Sequence, residues 1–548
     1  LLAGKIRGVH DQVWFTLACF ALCLLLAWEA AERIVSNDFR FLEFIAVAAL
    51  GCFALVSILR NWRVGFALFN VWVLFEDCVR KYMGNGTALF FGKDVLALVI
   101  YAALLSAIVR GREKKFRPPF RLWFPLAVFM WFAALQILNP HSPSILYGLL
   151  GFKLDFFYVP MLFVGYALIR DRQTLRAFLL GNAVLAIVIS VIGIVQAIVG
   201  KGFMNPATSA PELFEMANLE KVAPISGQVL SLTNSVFVSP GRFSLYLTLA
   251  AILSIGAVGY LLLLPVKRHV LVMFSTIGLI AVATVFSGSR SALVFVSLTA
   301  IAMSLGLIWG APWRSRLAHR ILKAIGWASA IVTAGVLLAM LLYPAEVGSR
   351  IAFYAETLNP YSSASVLHFR GVTYPLQGLQ TAFDDENWMF GNGLGTASLG
   401  LQYVAKLLHS DYRGKWTESG WGELILELGI LGPVLWVLWS IPFLYSCWRV
   451  ARRLRQTPFF PLAFAVVWFV FMILFPMTFG GTTPFQNYVD NVFLWLMVGM
   501  LYRLPELAST PEEALIPSRG RRRSFASRSW RPRLQPSYAL HRNFGPNS

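Results

Sequence analysis

Charge is what this sequence has least of. Only 14% of its 548 residues are Asp, Glu, Lys or Arg, while 57% are hydrophobic and the mean hydropathy is +0.64. An ordinary soluble domain carries about 25% charged residues. The composition therefore excludes a soluble enzyme and a disordered chain. Cysteine is also scarce. Cys19, Cys23, Cys52, Cys78 and Cys447 are scattered, and four of them lie in or beside apolar runs. Neither a disulfide framework nor a metal site is indicated, and no secreted disulfide-stapled module fits. The signatures of soluble catalysis are missing too: no phosphate-loop lysine motif, no His-Glu-x-x-His, no Cys pair at zinc spacing, no Gly-x-Ser-x-Gly.

What the chain does have is a series of apolar runs long enough to cross a hydrocarbon core about 30 Å thick. They predict helices near 12–28, 42–59, 64–77, 94–109, 121–138, 155–169, 176–199, 243–262, 269–286, 291–310, 322–343, 421–446, 459–478 and 486–502, fourteen in all. The expected fold class is an all-α polytopic integral membrane protein with about 14 transmembrane helices and a large extracytoplasmic loop. The chain opens on Leu rather than Met, which reads as a true N-terminus that is missing here. No small-residue cleavage site follows the first span, so it does not read as a cleavable signal.

The net charge of +20 invites a nucleic-acid reading until the positions of the charges are considered. Every second connection is short and basic: Arg60–Arg63, Arg110–Arg121, Arg170–Arg176, Lys267–Arg268, Arg314–Lys323 and Arg449–Arg455. Lys5, Arg7 and the tail from Arg503 fall on the same side. Of the 27 acidic residues, only Asp11, Glu113, Asp171, Glu506, Glu512 and Glu513 join them. The positive-inside rule then places both termini in the cytoplasm, consistent with an even number of spans. The charge is mostly a topology signal, and no nucleic-acid partner is expected.

These patterns divide the chain into five parts. Residues 1–239 form membrane helices ending in an outer loop at about 200–239, and 240–343 form further membrane helices. Residues 344–420 form a large outer loop, 421–503 the C-terminal membrane helices, and 504–548 a basic tail that reads as disordered and suited to anionic headgroups. The Trp and Leu content of the large loop (Trp388, Leu394, Leu399, Leu407, Leu408) favours a packed cap, and Leu399–Leu408 has the pattern of a short amphipathic helix.

Three outer features carry possible chemistry. Ser287-Gly-Ser-Arg290-Ser puts an arginine on the side that the charge rule disfavours, between small hydroxyl residues. A guanidinium there either snorkels to headgroups or forms a bidentate fork on phosphate oxygens. Arg242, in Ser239-Pro-Gly-Arg-Phe, opens a second outer helix, so the two form a plausible diphosphate clamp. Arg350 and Arg370 are further cations in the long loop. Gly391-Asn-Gly-Leu-Gly395 is Gly-rich, but no strand precedes it, which argues against a nucleotide fingerprint; it reads either as tight turns or as a close approach of backbone to a glycan or lipid phosphate. The third feature, Glu418-Ser-Gly-Trp-Gly-Glu-Leu-Ile-Leu-Glu-Leu-Gly-Ile-Leu-Gly432, enters the twelfth expected helix. Glu423 and Glu427 share one face and need a polar cavity or a partner. Glu418 is either a general base or a helix-start acid favoured by the dipole.

Together the Ser-Gly-Ser-Arg-Ser turn, the Gly-Asn-Gly-Leu-Gly stretch and the Glu-Leu-Gly-Ile-Leu-Gly helix entry resemble the O-antigen ligase and Wzy-type polysaccharide polymerase superfamily, over roughly residues 240–440. The resemblance implies a multi-helix bundle in the bacterial inner membrane that transfers glycans from an undecaprenyl diphosphate carrier without metal, nucleotide or other cofactor. It implies that Arg290 holds the carrier diphosphate, with Arg242, Arg370 and His409 as substrate-binding candidates. It also implies a glycan acceptor, surrounding membrane lipids, and a flippase and a chain-length regulator as protein partners. One departure matters. Ligases of the family carry His-[Asn/Ser/Gln]-x9-Gly-x-x-Gly. Counted back from Gly429 and Gly432, the His position is Glu418, followed by Ser419. His409-Ser410 satisfies the first Gly at Gly420 but meets Glu423 at the last. Glu418 is thus the expected base, and a repeat-unit polymerase of O-antigen, capsule or exopolysaccharide is favoured over ligation to lipid A-core. A flippase for the same lipid-linked glycans, a peptidoglycan polymerase and a non-catalytic scaffold remain the alternatives. A transporter would bury charge mid-span.

Overall fold

The computed structural model describes residues 39–509, apart from 207–210, 265–268, 311–325, 327–329, 331–332, 336, 339, 363–364, 413 and 416. The expected span at 12–28, much of that at 322–343, the basic loops at 267–268 and 314–323 and the basic tail beyond 509 lie outside the described residues. The chain divides into two units after Ala508, and the second is described only at Ser509.

Nine helices among the described residues are long and apolar enough to cross a membrane. They are Ala88–Val109, Phe120–Leu138, Ile145–Leu168, Arg172–Val199, Pro240–Leu263, Arg290–Gly310, Leu431–Arg453, Phe460–Met477 and Tyr488–Ser509. Each corresponds to one of the fourteen expected spans. Helix is the form such apolar runs must take, since lipid offers no partner for backbone N–H and C=O groups. Ile45–Arg60 and Val270–Phe286 are apolar but shorter. Among the described residues the only sheet is a ribbon between the helices Arg172–Val199 and Pro240–Leu263, in which β1 (Glu220–Val222) pairs antiparallel with β2 (Val229–Ser231). The protein is an all-α membrane protein.

Three of the expected spans take a different form. The run at 64–77 is the first part of a longer helix, Trp62–Met83, whose last two turns bury Glu76, Asp77, Arg80 and Lys81. The run at 155–169 joins an earlier segment. A helix over Ile145–Phe156 is interrupted before Pro160, which has no N–H to give, and resumes at Met161. The run at 421–446 is two helices, Gly420–Leu428 and Leu431–Arg453. Gly429 separates them at φ 71°, where a Cβ would stand 2.3 Å from the Met389 carbonyl oxygen. The Glu423–Glu427 helix is therefore a separate short element rather than the entry of a span. The large loop at 344–420 contains the helices Pro344–Leu358, Tyr374–Phe383 and Leu401–Leu408.

Small residues set one of the close helix contacts. A Cβ on Gly165 would lie 2.0 Å from Leu496 O, and one on Gly499 would lie 1.9 Å from Leu162 O. Two glycines thus let the backbones of Met161–Leu168 and Tyr488–Ser509 touch, the usual device where lipid supplies no hydrophobic drive. Gly499→Val is expected to destabilise by about 1–3 kcal/mol or more through overpacking. The check is the thermal midpoint in detergent, and an unchanged midpoint would contradict the packing.

The ends of the bundle are chemically distinct. At one, Arg63 grips Glu113 through two bonds of 2.6 and 2.7 Å, and Arg170 reaches the same carboxylate at 3.1 Å. Glu506 joins Lys114, Arg503 and Tyr166 there. Four of the basic stretches read from sequence therefore meet at a single end. The buried charges described next lie at helix ends that the chain order places opposite. Glu76–Lys81 close one helix, Lys93 and Asp94 lie near the start of the next, and Arg242 and Asp490 open two more.

Candidate functional site: two adjoining cavities, one cationic and one polar

Asp77 is the hub of the first cavity. Its side chain is fully buried and accepts from Arg242 Nη1 at 2.8 Å on both oxygens, from Arg80 at 3.0 Å and from Val238 N at 3.2 Å. The Ser239 hydroxyl caps the helix Pro240–Leu263, accepting from Arg242 N at 3.3 Å, and this holds Arg242 at the helix start. Lys93 pairs with Glu76 at 3.0 Å, both completely buried, and Lys153 with Asp94 at 2.8 Å. Arg80 also donates to Asn85 and to the Tyr403 hydroxyl. The Phe90 ring stacks on Tyr403 and lies under three cations, with Lys93, Lys153 and Arg80 at 4.2, 4.6 and 5.5 Å from its centre.

These groups wall a cavity of about 170 Å³. Arg80, Lys93, Lys153 and Arg242 line it, with Phe90, Tyr403 and Tyr488, while among the described residues no carboxylate does. The acids stand behind the cations and fix them. Burying so many ions is costly, and apolar replacements of similar volume are often as stable. A cation-lined hollow walled by aromatics, with its counter-acids withdrawn, is suited to a polyanion such as a diphosphate.

The second cavity, about 510 Å³, shares Leu399, Gly400, Gln402 and Gln486 with the first. Its wall is polar and mostly uncharged: Thr396, Ser398, Ser410, Tyr412, Thr483 and Gln486, with Asp411, Lys415 and Glu423. Gln486 ties the shared wall together, accepting from Leu399 N and donating to Ser398 Oγ, each at 3.0 Å. Hydroxyls, amides and a tyrosine in a hollow of this size offer the hydrogen bonds that sugar hydroxyls need.

The residues singled out from sequence fall into three places. Arg242 belongs to the cationic cavity. Arg290, Arg370 and Glu418 come together in a neighbouring cluster. Arg370 pairs with Glu418 at 3.2 Å, while Arg290 packs its guanidinium 5.2 Å from the Phe353 ring centre. Lys221, on β1, completes this cluster. Burial, then Arg290 and Arg370, hold its ammonium below the ordinary lysine range, with Glu418 opposing. Arg370 and Lys221 thus share the Glu418 carboxylate, while Arg290 faces the other two cations. The cluster adjoins the first cavity through its helices, since Ser244 and Ser291 touch hydroxyl to hydroxyl at 2.9 Å. Arg350 is buried and donates to the carbonyls of Phe286 and Ser231, so it braces the Arg290 turn. His409 caps the helix Leu401–Leu408 in the left-handed region, exposed, and lines neither cavity. The Gly391–Gly395 stretch is a run of left-handed turns. A Cβ on Gly395 would lie 1.9 Å from Tyr147 O, so close backbone approach accounts for that glycine.

Arg80, Lys93, Lys153 and Asp77 were not singled out from sequence. The signal was there: charges at 76, 77, 80 and 81 repeat at i, i+4 on the end of an apolar helix, where only paired or functional charge survives. Among the described residues no group of three His, Cys, Asp or Glu is placed to hold a metal ion. Compared with protein-family models, curated proteins and solved structures, the chain has no match.

Proposed function

We propose that this protein is a membrane glycosyltransferase that moves oligosaccharide units from an undecaprenyl diphosphate carrier onto a growing polysaccharide. The product is O-antigen, capsule or exopolysaccharide, and the reaction is at the outer face of a bacterial inner membrane. One observation carries the reading: a cation-lined cavity and a larger polar cavity share a wall at the loop-rich end of a membrane bundle. The first suits the diphosphate and the second the sugars. The resemblance of the Arg290 turn and the Gly429–Gly432 helix entry supports the same class.

In this reading Arg242, Arg80, Lys93 and Lys153 hold the diphosphate. They stabilise the charge that grows on it as the glycosidic bond to phosphate breaks. Arg290 and Arg370 are the second cationic contact, and Glu418 is the carboxylate in the position of the ligase His. The shared wall brings donor and acceptor sugars into line, which accounts for much of the acceleration in a two-substrate transfer.

The test is an assay of the purified protein with an undecaprenyl diphosphate oligosaccharide, without metal or nucleotide, with products resolved by gel and mass spectrometry. A ladder of repeat additions, lost in Arg290→Ala, is the expected result. A single addition seen only with lipid A-core would assign a ligase instead. Labelled lipid crossing proteoliposomes without product would sink the transferase reading.

A further inference from the structure

The helix Gly420–Leu428 carries two carboxylates that its spacing treats alike and its surroundings do not. Glu427 is enclosed. Its Oε1 accepts from Ala397 N at 2.9 Å and from Ser398 Oγ at 2.7 Å, so it fastens the loop behind the shared wall, and it lines neither cavity. Glu423 lines the larger cavity. Both of its hydrogen bonds fall on one oxygen: Oε2 accepts from Thr482 N at 2.6 Å and from Thr482 Oγ1 at 2.5 Å. No described residue donates to Oε1. The carboxylate is therefore held from one side, with its second oxygen available at the cavity wall.

We infer that Glu423 takes the proton from the acceptor sugar hydroxyl in the larger cavity, an inference that rests on the transfer reading above. As the hydroxyl oxygen bonds to the anomeric carbon of the donor, its proton passes to Glu423 Oε1. The bond from that carbon to the diphosphate oxygen breaks, and its electron pair leaves with the lipid diphosphate among the four cations. The Glu423 carboxyl then returns its proton to water, so the step consumes no oxidant, reductant or cofactor. A lining acid fixed by two donors on one oxygen has the position required of a general base, and its distance from the diphosphate cavity is bridged by Gln486 and Leu399–Gly400.

Burial raises the Glu423 carboxyl to about 7, against the lowering effect of the two Thr482 bonds and with a smaller upward push from Glu427. Among the described residues, the other charged groups around it are Asp155 from the helix Ile145–Phe156, and Asp411 and Lys415 on the cavity wall, Lys415 being paired with Asp385. A base acts when deprotonated, so turnover should rise with pH through about 7 and level off above it.

The experiment measures turnover against pH and binding of labelled donor for wild type, Glu423→Gln, Glu423→Asp and Glu418→Gln in the purified protein. Glu423→Gln keeps an oxygen for Thr482, so it is expected to bind donor like wild type, lose about 10²–10⁴-fold in turnover and lose the rising pH limb. Glu423→Asp, which withdraws the charge from the cavity by one methylene, is expected to fold, keep the limb and turn over slowly. It carries the test should Glu423→Gln not fold, and wild-type turnover in it would overturn the inference. Should Glu418→Gln rather than Glu423→Gln remove the limb, Glu418 is the proton acceptor and the inference is wrong. An active wild type with an unimpaired Glu423→Gln removes this inference alone. A wild type that makes no product from lipid diphosphate glycans removes the transfer reading and the inference with it.

Discussion

Arg242→Ala is expected to lower the proposed glycan transfer about 10²–10³-fold, the loss seen when one preorganised donor to a developing anion is removed. The protein should remain folded. Asp77 would keep Arg80 at 3.0 Å and Val238 N at 3.2 Å, so the buried carboxylate is not left without donors. What goes is the more open member of the cationic wall: the Arg242 side chain is 21% exposed, against 2% for Arg80 and 0% for Lys93. Only one of its terminal nitrogens is engaged by Asp77, and its guanidinium stands 5.2 Å from the Tyr488 ring centre on the cavity wall. Arg242→Lys keeps the charge but not the planar fork, so it should recover part of the activity. The measurement is kcat/KM for labelled lipid-linked oligosaccharide, with thermal midpoint as a control. Wild-type kcat/KM in Arg242→Ala would mean that the cavity does not hold the leaving diphosphate.

The nine long apolar helices were legible in the sequence because a membrane helix is specified by composition over about 20 residues, which a single chain displays without partners. Arg242 and Arg290 were legible for the converse reason, as cations on the side the charge rule disfavours. The remaining cations of the first cavity became meaningful only through partners far along the chain. Arg80 is one turn from Asp77, but the Tyr403 hydroxyl that it holds is 323 residues away. Periodicity also put Glu423 and Glu427 on one face and could not tell which met a cavity. That depends on Thr482 and Ser398, which come from different segments. The break at Gly429 was hidden because apolar residues run through it, and the reason for the break is the Met389 backbone from the large loop. Local pattern thus predicted which segments are helices, while the site was assembled by contacts that composition does not encode.

Asp77→Ala should have the largest effect on stability. Asp77 is ion-paired with both Arg242 and Arg80, and its side chain is entirely buried. Removing one partner of a buried ion pair costs about 3–5 kcal/mol, because the charge left behind is neither hydrated nor paired. Against a typical total of about 5–15 kcal/mol, that is enough to deplete the folded population. The two orphaned cations would differ. Arg80 retains Asn85 and Tyr403 as acceptors, whereas Arg242 retains the Tyr488 face and the cavity. The double variant Asp77→Ala/Arg242→Ala should therefore regain stability relative to Asp77→Ala alone, a coupling that a double-mutant cycle reads directly. Asp77→Asn, which keeps an acceptor for Val238 N but no charge, should fall between wild type and Asp77→Ala. The readouts are the yield of monodisperse protein in detergent and its thermal midpoint. If Asp77→Ala and the double variant both melt like wild type, the cations are not set by this carboxylate, and the cavity's charge must be fixed by Glu76 and Asp94 instead.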